Sequence, residues 1–172
     1  MLIKYFLITI LLIGMFYDIK WRRIPNYLTF GGMLCALELN FYFYGMAGVT
    51  QTGYGLGLAF VLLFIPFALG GLGAGDVKLL MVVGAFTGPV FTTSAFINMA
   101  LIGGIYSLAL MAKQETLKPL LKKIYYSVFF FTTSAARYRS LELFSKKEQP
   151  LAIPYAVAIT TGTLISFWVR WV

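Results

Sequence analysis

YGLGLAFVLLFIPFALGGLGAGDVK, residues 54–78, sets the reading of this chain. It opens with an uncharged apolar run, 54–70, long enough to cross the hydrocarbon core of a bilayer, which takes roughly 17–25 helical residues. It then enters the densest glycine cluster of the sequence, Gly70-Gly71-Leu72-Gly73-Ala74-Gly75, and meets Asp76 and, two residues on, Lys78. A carboxylate in or beside a membrane segment is costly and marks a functional site by default. The chain has one other aspartate, Asp18, also placed where an apolar run meets a polar break.

Working outward, comparable apolar stretches fill the sequence at 2–17, 27–46, 77–88, 90–112 and 151–170. The 172 residues are 60% hydrophobic and 12% charged, about half the charge of an average soluble domain. A soluble protein of this size buries only about two-thirds of its chain surface and has no place for so much apolar area. The expected fold is therefore all-α: a polytopic integral membrane protein of about six transmembrane helices forming one domain over 1–172. Gly88-Pro89 is the expected turn between the fourth and fifth helices, because proline stops a helix and glycine permits the reversal. Gly45–Gly53 is the expected connection between the second and third.

Net charge is +8, and its distribution assigns it to topology rather than to nucleic acid. Lys20, Arg22 and Arg23 follow the first span, Lys78 follows the glycine cluster, and eight more cations lie in one long basic connection at about 113–150. With six spans these three connections share a side, and only Lys4 and Arg170 fall on the other. Positive charge accumulates on cytoplasmic loops, so the N-terminus is expected outside and both aspartates at the cytoplasmic face of the inner or plasma membrane. The first apolar run ends in Phe16-Tyr17-Asp18 with no small-residue cleavage signal, and reads as a retained helix. The long connection mixes lysines with Tyr125-Tyr126-Ser127-Val128-Phe129-Phe130-Phe131, a composition suited to an interfacial helix.

The residue inventory narrows the chemistry. The chain has no histidine and one cysteine, Cys35, in mid-span. No metal site and no cofactor are expected, and Cys35 reads as packing. Pro25 suits the first turn of the second helix, and Asn26 is expected to cap its donors. Glycines at 31, 32, 53, 55, 57, 103 and 104 suit close helix packing in lipid. Near Asp76, Gly73 and Gly75 let the backbone approach an extended ligand closely. Two carboxylates brought together share one proton. The ionised member can activate water, and the protonated one can polarise a carbonyl and serve the leaving amine. Lys78 would either stabilise that pair or anchor the helix at the headgroups.

Gly73-Ala74-Gly75-Asp76-Val77-Lys78 resembles the GxGD signature of membrane-embedded aspartic proteases, in the form found in type IV prepilin peptidases. Asp18 with Ile24-Pro25-Asn26 downstream is similar to that family's first catalytic segment, and Ile153-Pro154-Tyr155-Ala156 to its Pro-Tyr-Gly segment, with Ala156 where the family has glycine. The resemblance implies catalytic roles for Asp18 and Asp76, with Gly73, Gly75, Lys78, Pro25, Asn26 and Pro154 shaping the site. It implies removal of a short basic leader from a prepilin-like substrate protein at the cytoplasmic face. The cysteine-rich segment of the family's larger members does not appear in this sequence, which resembles the short, peptidase-only branch without methyltransferase activity. Other leader classes suit the same chemistry. A competing reading is a small proton- or cation-coupled transporter or assembly subunit, with the two acids as a relay. The expected partners are the substrate and the lipid bilayer; oligomeric state stays open.

Overall fold

A computed structural model describes residues 2–113 and 155–169. Among these the regular structure is all helical: α1 (Leu2–Trp21), α2 (Asn26–Ala68), α3 (Ala74–Lys113) and α4 (Tyr155–Val169), with turns at 22–25 and 69–73. Past Lys113, the basic connection expected at 113–150 lies outside the described residues, as do Pro154 and the ends of the last expected span. The chain divides into two compact units, Met1–Gly103 with Pro154–Val172, and Gly104–Ile153. The first is described below; of the second, residues 104–113 are seen as the end of α3.

Helices α1, α2 and α3 are long and apolar enough to cross a membrane, and α4 is a shorter apolar helix. Their outer surfaces carry large apolar side chains in quantity, among them Phe41, Tyr42, Phe60, Val61, Ile65, Ile97 and Leu101. In water such a surface would drive association; against acyl chains it is the matching face. With the solvent itself apolar, close packing and internal hydrogen bonds hold the helices together.

Two of the helices double back. Gly45 (φ 60°, ψ −142°) interrupts α2, and Gly88 (φ 76°, ψ 177°) interrupts α3. Asn40 and Thr52 would lie about 18 Å apart along a straight helix, yet Asn40 Nδ2 donates to Thr52 Oγ1 at 2.8 Å. The chain therefore reverses at Gly45. The expected loop 45–53 is instead helical apart from that one glycine, because a single residue with positive φ is enough to turn the backbone. Gly88 reverses α3 in the same way: Gly75 lies against Ile24 at one end of α1, whereas Phe91 stacks on Phe167 at the other, and Gly103 returns to Ala158.

Glycines set how closely the arms approach, but not all of them. Gly55 and Gly84 meet backbone to backbone, and a Cβ on Gly162 would fall 2.6 Å from the Met99 amide. Gly31, Gly53 and Gly57 have no neighbouring atom within 4 Å of where a Cβ would sit, so their expected packing role is not what the fold uses them for. Cys35 packs against the core. Where the arms of α2 and α3 meet near the turns, Asn40 Nδ2 and Thr52 Oγ1 both donate to the Ala85 carbonyl, at 2.8 and 3.1 Å. In α4, Thr160 Oγ1 donates to the Leu11 carbonyl at 3.4 Å, and Ser166 Oγ accepts from Asn98 Nδ2 at 2.8 Å.

Candidate active site

α1 and the first arm of α3 run antiparallel, and their register sets the height of both aspartates. A Cβ on Gly14 would lie 3.1 Å from Leu79 Cδ1, and a Cβ on Gly32 of α2 would sit between Ile10 and Val82, 3.2 and 3.3 Å away. Residues 10 and 82 thus share a level, as do 14 and 79. One further turn, forward along α1 and back along α3, reaches Asp18 and Asp76. Side chains one turn apart stack on one helix face, so the two carboxylates project at the same end of the bundle. Asp76 accordingly lies within range of the Asp18 charge.

Each acid is 8% exposed, and each is held by a backbone N–H. Asp18 Oδ2 accepts from the Ala156 amide at 3.1 Å, in the first turn of α4. That amide is one of the four a helix start leaves unpaired, so α4 docks on α1 through the carboxylate. Asp76 Oδ2 accepts from the Gly73 amide at 3.0 Å, while the Gly73 carbonyl accepts from the Asp76 amide at 3.1 Å. The pair closes the start of α3 reciprocally, as in a capping box. Gly73 is thus the cap and Asp76 the third helical residue. A Cβ on Gly73 would stand 3.2 Å from Asp76 Oδ2, and one on Gly75 the same distance from Ile24. Gly73 therefore leaves room for the Asp76 carboxylate, and Gly75 for Ile24 against the backbone.

The remaining sequence-selected residues divide. Pro25 precedes α2 as its cap (φ −63°, ψ 136°), one position earlier than its expected first-turn place. Asn26 does not cap α2, which has no side-chain cap. Its Oδ1 accepts from Lys78 Nζ at 2.8 Å, and the ammonium also sits 5.2 Å over the Phe30 ring. Lys78 is therefore a tie between α3 and α2. α1 is four residues longer than expected, which puts Asp18 within the helix rather than past its end. Pro154 lies outside the described residues, though the neighbouring Ala156 reaches Asp18 directly.

Three contributors have contacts that were not read from sequence. Gly14 admits Leu79 and so sets the register; its only signal is a small residue one turn before Asp18. Ile24 packs on Gly75. Arg22, which read as a topology signal alone, brings its charge to bear on Asp18. Among the described residues no three His, Cys, Asp or Glu side chains gather as a metal-binding group would. What the site offers is two nearly buried carboxyls at one level beside a glycine-containing helix start, groups able to move protons to and from a bound amide.

Comparisons with curated proteins and with solved structures gave no match. A family model described as the type IV leader peptidase family matches residues 5–108, a stretch that contains Asp18, Asp76 and every helix contact that brings them level. With three-fifths of its length matched, the chain belongs to the type IV leader peptidase family.

Proposed function

We propose that this protein is a membrane-embedded aspartic endopeptidase that removes the basic leader from type IV prepilin-like proteins at the cytoplasmic face. The observation that carries the reading is the shared level of Asp18 and Asp76, fixed by the contacts at Gly14 and Gly32. One carboxyl, ionised, takes a proton from water as the water oxygen attacks the scissile carbonyl. The other, protonated, donates to the carbonyl oxygen, and the leaving amine is protonated as the carbon–nitrogen bond breaks. Low exposure keeps bulk water from screening the pair. The glycine approach of Gly73 and Gly75 suits an extended peptide laid against backbone, while Pro25, Asn26 and Lys78 fix the neighbouring helix start.

Counting each arm of the doubled helices as one crossing accommodates the proposed six membrane spans. Lys20, Arg22, Arg23 and Lys78 then lie at the aspartate end and Lys4 at the other. The positive-inside pattern makes the aspartate end cytoplasmic, which is where a basic leader would arrive. The test is co-expression with a small protein carrying a basic leader before an apolar helix, read as a mobility shift on processing. Processing by the wild type and its loss in both Asp18→Asn and Asp76→Asn support the reading; full processing by either variant overturns it.

A further inference from the structure

Arg22 is the one non-glycine residue with positive φ (53°) among those described. Side chains with a Cβ avoid this left-handed region, and residues held there cluster at functional sites. Its amide donates to the Asp18 carbonyl at 2.9 Å and closes the end of α1 one turn beyond the acid. Glycine is the residue that usually performs this step. Here the position carries a guanidinium whose charge acts on Asp18.

Of the other described cations at this end, Arg23 is exposed, and two are engaged elsewhere. Lys20 Nζ lies 4.5 Å over the Trp21 ring and 5.7 Å from that of Phe16. Lys78 is taken by Asn26 and Phe30. From the elements packed on Asp18, α3 presents Asp76, and α4 presents the Ala156 amide beside Tyr155. α2 presents Tyr27, whose hydroxyl is bonded to Tyr17 at 3.0 Å. Among the described residues, Arg22 is therefore the cation that distinguishes one acid of the pair from the other.

We infer that Arg22 is a positioning residue that localises negative charge on Asp18, making Asp18 the base and Asp76 the proton donor of the cleavage reaction. This rests on the protease reading above. In the first step the ionised Asp18 takes a proton from water, the water oxygen bonds to the carbonyl carbon, and Asp76 gives its proton to the carbonyl oxygen. In the second, Asp18 returns its proton to the amide nitrogen, a hydroxyl proton goes back to Asp76, and the carbon–nitrogen bond breaks. One water is consumed, an acid and an amine leave, and both side chains recover their starting states.

The strained backbone lets charge and conformation be separated. Arg22→Gly keeps, and relaxes, the left-handed turn while deleting the charge; Arg22→Lys keeps the charge. The assay is cleavage by the full-length protein in detergent of a purified small protein with a basic leader before an apolar helix, followed across pH beside Asp18→Asn. Asp18 must be ionised to act, so losing the cation should move the acidic limb of the rate profile upward. For a solvent-screened pair the expected move is about half a pH unit. Below that limb Arg22→Gly should be about threefold slower than wild type, with an unchanged or higher thermal transition, while Arg22→Lys keeps the wild-type limb. A wild-type profile in Arg22→Gly overturns the inference, as does a loss equal at every pH or a limb displaced as far in Arg22→Lys. Cleavage by Asp18→Asn would instead sink the protease reading itself.

Discussion

The two ends of this bundle handle polar groups in opposite ways. At the turn end, Asn40, Thr52 and the Ala85 carbonyl form a buried set of neutral hydrogen bonds. At the aspartate end, two charged-type side chains sit at 8% exposure, each with one oxygen on a backbone amide. A carboxylate has about four acceptor positions, so one amide holds it without exhausting it. A neutral network buried in an apolar bundle is a fastener, whereas an acid pair held by single bonds retains capacity for a substrate. The comparison separates what stabilises from what reacts.

The sharpest way to break it is at the acids. Asp18→Asn and Asp76→Asn keep an oxygen able to accept from Ala156 or Gly73, so helix docking should survive. Processing should vanish in both, while the detergent-solubilised thermal transition stays close to wild type. If either variant unfolded with retained processing per folded molecule, the aspartate end would be a fastener as well.

Backbone contact at the turn end should give the next largest effect. Gly55 and Gly84 approach so closely that a Cβ on either meets the other's carbonyl group, with the carbonyl carbon 2.6 Å away. Backbone cannot rotate aside as a side chain can, so Gly55→Ala should destabilise by about 2–3 kcal/mol. The thermal midpoint measures it, and activity per folded molecule should hold. Gly53→Ala and Gly57→Ala, facing open space, are the controls and should be near neutral or slightly stabilising.

This contrast among glycines shows what could be read in advance. Apolar runs and the acids at their ends depend on local composition, and the helices over 2–21, 26–68 and 74–113 follow that reading in outline. Gly88-Pro89 declared its turn because proline and glycine act locally. At Gly45 a connection over 45–53 was legible, but its form, one left-handed residue with helix on both sides, did not show. Nor did Gly14, whose value lies in Leu79, 65 positions away. Asn26 looked like a cap because that is its usual place, but Lys78 competes for the same oxygen and gains an aromatic face besides. Tertiary partners decided each of these, and one sequence does not disclose them.

Within the fastener, Asn40→Leu replaces a buried amide with an apolar group of similar size. It removes two hydrogen bonds and leaves the Thr52 hydroxyl with the Ala85 carbonyl as its partner. Since that carbonyl keeps Thr52 as a donor, the loss should stay near 1–2 kcal/mol rather than the full cost of an orphaned pair. Processing per folded molecule should equal wild type. A variant that stayed folded yet lost processing would show that the turn end communicates with the acids, and the division between the two ends would fail.

The smallest effect should come from Lys78, although it stands two residues from Asp76. Its ammonium is bound to Asn26 and stacked on Phe30, on the exposed side of the helix start. Exposed contacts of this kind contribute little net free energy because water competes for both partners. Lys78→Met keeps most of the aliphatic stem against Phe30 and deletes the charge, so processing should stay within about twofold of wild type. Its acidic limb should not move, in contrast to Arg22→Gly. Proximity in sequence to an acid is then the weaker guide, and Arg22, which ends the helix that carries Asp18, is the cation that matters. A tenfold loss in Lys78→Met, rescued by Lys78→Arg, would reverse that ranking and place the working charge on α3.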